Sequence, residues 1–178
     1  MLHKIKYHLI NPIKNLIRWF PIIWKDRDWD DYYIWEILKT KLKHQSQHIG
    51  ENDIHTRAKH DAQRMMLCVC LIEKIQDEYY DMEYLDYCKD EFNWLDIEDK
   101  PNYKQLEIVP ISENFDEYFA KYKSSVKKIL NNKKYQVFHL DGTDDKKRLA
   151  MNIAHYNQNK AQTLLFKILD KDIRGWWD

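Results

Sequence analysis

Residues 53–92 read DIHTRAKHDAQRMMLCVCLIEKIQDEYYDMEYLDYCKDEF, and their spacing decides the fold. Ile54, Ala58, Ala62, Met65, Val69, Ile72, Ile75, Tyr79 and Met82 recur mainly at steps of three and four, the period of one helix face. The run from Met65 to Ile72 is apolar around the whole circumference, which predicts a helix at the centre of the protein. Asp53 is placed to cap its start. A helix of about 40 residues would span about 60 Å, so a bend or break is expected near Tyr79 and Tyr80.

The flanking segments are also helical in pattern. A short amphipathic piece, IKNLIRWF, follows Pro12 and is expected to end at Pro21. The first long helix is expected from Asp28, with Asp30 and Asp31 in its favourable first turn. Its inward seam reads Trp35, Leu38, Leu42 and Ile49, with Gln45 as the polar exception, and Gly50 is expected to end it. Asn114 and Glu117 form a capping-box-like start to a third helix that runs to Asn131 and Asn132. The last helix begins around Asp144 and turns Ala150, Ala154, Asn157, Ala161, Leu164, Leu165 and Ile168 inward. Leu106 to Ile111 and YQVFHL (135–140) are candidate strands. The fold expected is all-α: one domain over 1–178, a bundle of four main helices with a short N-terminal helix and room for a small two-stranded ribbon. Only 3 Gly and 4 Pro are available to interrupt it.

Composition narrows the function classes. Lys and Arg total 29 against 29 Asp and Glu, so no net basic field favours duplex DNA. No stretch approaches the roughly 20 apolar residues of a membrane span, and the start lacks a signal-peptide core. Cys68 and Cys70, two residues apart on a helix, cannot bridge. With Cys88 they suggest a reduced, cytoplasmic protein.

The aromatic residues carry the leading site hypothesis. Trp19, Trp24, Trp29 and Trp35 lie in the first 35 residues and Trp176 and Trp177 in the last three, with Trp94 between. In an up-down bundle Trp24, Trp29, Trp94, Trp176 and Trp177 share one pole. They would form either an apolar cap or a pocket in which Trp24, Trp29, Trp176 and Trp177 stack on a flat heterocycle while Arg27 and Arg174, with Lys25, take an anionic group.

At the opposite pole, His44, His48, His55 and His60 lie near Glu51, Asp53 and Asp61, with His139 and His155 able to approach. Their spacing matches no standard metal motif, and a solvated turn is the expected reading; no metal or other cofactor is expected. Glu73, Asp77, Glu78 and Asp81 lack the paired acidic motifs of the all-helical nucleotide pyrophosphohydrolases. A polar network is expected around Asn157, with Asn152, His155 and Gln158. No Gly-rich phosphate loop or exposed, electropositive cysteine is present.

Three stretches, WFPIIWKDRDWDDYYIWEILKTKL (19–42), LEIVPISENFDEYFAKY (106–122) and IAHYNQNKAQTLLFKILDKDIRGWWD (153–178), resemble a family of small helical proteins encoded by tailed bacteriophages. Gln158 departs from that family's histidine in the last stretch, which argues against a chemical role there. The resemblance implies the cytoplasm of an infected bacterium, where small accessory proteins block host defence, bind host enzymes or trap nucleotide signals. The expected function is non-enzymatic binding of a small nucleotide-like ligand, an immune signal among the candidates. The alternatives are a protein-binding inhibitor or virion-associated helical protein, open to homo-oligomerisation, and a metal-dependent nucleotide hydrolase.

Overall fold

The computed structural model describes residues 9–100, 102–132 and 145–176. It is mostly helical with one small antiparallel sheet. The chain divides into two compact units, one comprising residues up to Gln76 and from Ile168 onward, the other Asp77–Lys167.

In the first unit, α1 spans Asn11–Ile23 and passes through Pro21. The expected stop fails because a proline one turn from the helix end removes a single amide, and Trp24 still donates to the Phe20 carbonyl at 2.9 Å. Helix α2 covers Tyr32–Asn52, beginning later than Asp28. The N-cap is Asp31, whose side chain makes no cap bond, while Asp30 Oδ1, one residue earlier, accepts the Tyr32 amide at 2.9 Å. Leu42, Gln45, Ser46 and Ile49 are its buried face.

Gly50 lies inside α2 and does not terminate it. A Cβ there would sit 3.2 Å from the Ala62 Cβ of the following helix, so glycine permits the close approach of the two helices. The helix instead ends at Asp53, whose φ of 46° is left-handed, a conformation that Asp tolerates better than most residues. Helix α3, Ala58–Gln76, packs back antiparallel on α2. Ser46 Oγ donates to the Ala62 carbonyl at 2.9 Å, and Lys39 Nζ to Gln76 Oε1 at 2.9 Å. Ala58, Met65, Cys68, Val69, Ile72 and Ile75 form its buried stripe. Met66, Leu67 and Cys70 are exposed, so α3 buries one broad face where the apolar run predicts a helix enclosed on all sides.

The break expected near Tyr79 occurs at Glu78, with φ 49°. In the second unit a short α4, Tyr79–Met82, leads into a 3-10 segment, Glu83–Tyr87. The chain then leaves the helical path. Residues Cys88–Asp96 form β1 and Lys104–Glu113 form β2, an antiparallel hairpin pairing Phe92 with Ile108 and Trp94 with Leu106. Residues 88–92 are therefore strand and not helix end. The candidate strand at 106–111 falls within β2; the one at 135–140 lies outside the described residues. The third helix is two, α5 at Phe115–Lys121 and α6 at Lys123–Leu130, separated by Tyr122 at φ −112°, ψ 39°. Asn114 Nδ2 meets Glu117 Oε2 at 2.8 Å at the start of α5. Helix α7 runs Asp145–Asp172 and is followed by a 3-10 turn at Ile173–Trp176; from Ile168 onward these residues belong to the first unit. Phe115, Tyr118, Ile129, Ala150 and Ile153 form the core of the second unit, with Tyr84, Tyr87, Phe119 and Tyr122 packed against it.

Candidate functional site

The N-terminal and C-terminal tryptophan motifs belong to the same compact unit, and Trp94 belongs to the other. Within the first unit their environments diverge. Trp24, at the end of α1, stacks on Phe20 with ring centroids 5.4 Å apart and remains open to solvent. Trp29 is 84% exposed, whereas Trp176 is 2% exposed, with its Nε1 lacking a hydrogen-bond partner among the described residues. Arg27 is exposed and donates to the Asp26 carbonyl at 3.1 Å; Arg174 is exposed on the terminal 3-10 turn. Trp177 lies outside the described residues. The structure thus offers Trp24, Arg27 and Trp29 at the surface and uses Trp176 as a packed side chain, leaving that ring no open face.

Asp61 is the focus of the histidine-rich turn. Its carboxylate is buried and lies 3.0 Å from His60 Nδ1, 3.3 Å from Arg57 Nη2 and 3.9 Å from His55 Nε2. His48 instead pairs with Asn52, Nδ1 to Nδ2 at 3.2 Å. His44 is held below its ordinary range by partial burial and by Arg18, Lys43 and Lys41. His155 faces Asp81 at 3.6 Å, and His139 is outside the described residues. Among the described residues no group of three His, Cys, Asp or Glu side chains is placed to hold a metal ion.

The second unit holds two polar centres, one around Glu83 that spacing did not reveal and one at Asn157, where spacing predicts an inward polar residue. Buried Glu83 accepts hydrogen bonds from Lys121 Nζ and Tyr122 Oη. Burial first, then the bond to Glu83, drives the Tyr122 phenol well above its usual range. Ser125 Oγ donates to Asn157 Oδ1 at 2.7 Å in the interior, which accounts for Asn157 on the inward face of α7. None of the described cysteines is bridged; burial pushes the Cys68 thiol up to about 11 and raises that of Cys88, so neither is an activated nucleophile.

The hairpin presents an exposed apolar surface in that unit. Phe92 and Trp94 alternate along β1 and pair with Ile108 and Leu106 on β2, so all four lie on one face of the ribbon. All four are exposed, Phe92 at 60% and Trp94 at 64%. Beside them a groove of about 670 Å³ is lined by Ile108 and Met151, by the cations Lys147 and Arg148, and by the acids Asp90 and Glu113. Lys147 is ion-paired with Asp90. No family model, curated protein or solved structure matches the chain.

Proposed function

We propose that this is a non-enzymatic phage accessory protein that works by binding, and that its partner is a host protein held against the apolar face of the β-hairpin. The carrying observation is the cross-strand set Phe92, Trp94, Leu106 and Ile108, four large apolar side chains exposed together on one face. Two strands alone are marginally stable in water, so a covering surface would add burial that the ribbon lacks. Aromatic side chains are the usual anchors of protein interfaces. The flanking charges are of both signs, Asp90 with Lys147 and Asp96 with Lys104, which suits a protein surface better than a polyanion. The test is affinity capture from infected bacteria, followed by calorimetry with the purified captured protein. Phe92→Ala and Trp94→Ala should each weaken that association by about 2 kcal/mol or more, and an unchanged affinity in both would refute the reading.

A second reading, sequestration of a nucleotide-like ligand and with it a host immune signal, is supported by Trp24, Arg27 and Trp29, exposed within one short stretch. Stacking rings supply about 1 to 3 kcal/mol per base, and Arg27 and Arg174 would take an anionic group. Calorimetry against mono-, di- and cyclic nucleotides separates the readings, because release of the ligand unchanged distinguishes sequestration from hydrolysis. The host bacterial cytoplasm is the compartment proposed.

A further inference from the structure

We infer that α1 is an interfacial anchor that lies on an anionic lipid surface. Ile10, Ile13, Leu16, Ile17, Phe20, Ile23 and Trp24 are all exposed. At 100° per residue they occupy a continuous arc of about 140°. No residue of the helix is fully buried, and its half-buried positions, Asn11, Trp19 and Ile22, fall on the opposite side. The apolar arc is therefore turned outward while the helix rests on its other side.

The charge of this region identifies the surface that would cover it. Lys14, Arg18 and Lys25 lie together along one edge of the arc, and none of them forms an ion pair among the described residues. In the sequence, five Lys or Arg and no Asp or Glu precede Asp26, although the whole chain balances at 29 of each. The remainder consequently carries a formal charge of −5. A protein groove would need only the apolar arc; it gives no reason for a cationic edge without a single acid. A bilayer of anionic headgroups uses both features, receiving the rings and aliphatic chains below the headgroups and pairing with the cations above. The helix has 13 residues, against the roughly 20 needed to span, so it lies in the surface plane. This is independent of the hairpin's proposed partner.

The test is flotation of the full-length protein with vesicles of phosphatidylglycerol and phosphatidylcholine, against vesicles of phosphatidylcholine alone. Wild type should float with the anionic vesicles, less strongly as salt rises. Lys14→Gln and Arg18→Gln should each reduce partitioning by about fivefold. Ile17→Glu should abolish it with unchanged circular dichroism, since Ile17 is 68% exposed and contributes little to the fold; Leu16→Ser provides a second, milder probe. Brominated lipid should quench emission from wild type more than from Trp24→Phe. Ile108→Glu, the same charge change on the hairpin, should leave flotation intact. Failure of wild type to float, or flotation indifferent to both Ile17→Glu and Leu16→Ser, overturns the inference. So does an oligomer dispersed by Ile17→Glu without lipid binding, which would make a second copy the occupant.

Discussion

Arg64 and Asp172, 108 residues apart in the chain, meet through a fork in which Nε donates to Oδ2 at 2.7 Å and Nη2 lies 2.7 Å from the same oxygen. The pair ties α3 to the end of α7 inside the first unit. An acid in the last turn of a helix faces the negative end of the macrodipole, and the guanidinium offsets that penalty. Asp172→Ala should lower stability by about 1.5 to 3 kcal/mol, the range for hydrogen bonds to charged groups. Urea unfolding measures it. The double variant Arg64→Leu/Asp172→Leu should lose less than the sum of the single changes, because each single change strands a charge.

Burial of Cys68 predicts an alkaline weakness. The folded thiol sits at about 11, above the ordinary value of about 8.5. The fold thus favours the protonated form. Its contribution is complete below about pH 8.5 and is lost as pH rises toward 11, at up to about 1.4 kcal/mol per pH unit. Cys88 and the raised phenol of Tyr84 act in the same direction, so the quantity to measure is the difference between wild type and Cys68→Ala. That difference, taken from urea midpoints between pH 8 and pH 10, should shrink as pH rises. A constant difference would show that the thiol does not titrate out of range.

How far the sequence could lead depended on the distance over which each feature is decided. The inward stripe of α3, from Met65 to Ile75, follows from helical spacing alone. Asn157 could be placed inward, but Ser125, its partner 32 residues earlier, could not be identified by periodicity. Residues 88–92 read equally well as the end of a helix; what makes them a strand is pairing such as Phe92 with Ile108, a contact that no local pattern encodes. Gly50 looked like a stop because glycine usually is one at a helix end, whereas its reason lies across the interface at Ala62. The same limit applies to the tryptophans. Residue type cannot separate exposed Trp29 from buried Trp176, because burial depends on what packs around each ring.

Glu83 should be a structural carboxylate whose loss is felt at Tyr122. Replacing it by Gln keeps the volume but weakens acceptance from Lys121 and Tyr122, at a cost of about 1 to 3 kcal/mol. In wild type the Tyr122 phenol is raised first by burial and then by the Glu83 bond and charge. Glu83→Gln removes the second cause and leaves the first. Phenolate absorbance of the folded variant should therefore begin at lower pH than in wild type, and Tyr122→Phe in the same background should abolish the added component.

The tryptophans provide the sharpest division between folding and binding. Trp176 is buried, so Trp176→Ala removes a large packed side chain and should cost about 3 to 5 kcal/mol. Trp24 and Trp29 are exposed, so alanine at either position should change stability by no more than about 0.5 kcal/mol. Chemical denaturation followed by far-ultraviolet circular dichroism tests both without relying on the fluorescence being altered. If Trp24→Ala and Trp29→Ala leave stability intact yet reduce vesicle partitioning or nucleotide binding, the exposed rings are reserved for a partner, and which assay responds identifies the partner. Vesicle partitioning should respond to Trp24→Ala more than to Trp29→Ala, because Trp24 lies on the apolar arc of α1 and Trp29 lies beyond the helix. A loss of several kcal/mol in Trp29→Ala would instead make that ring part of the core, contrary to its exposure.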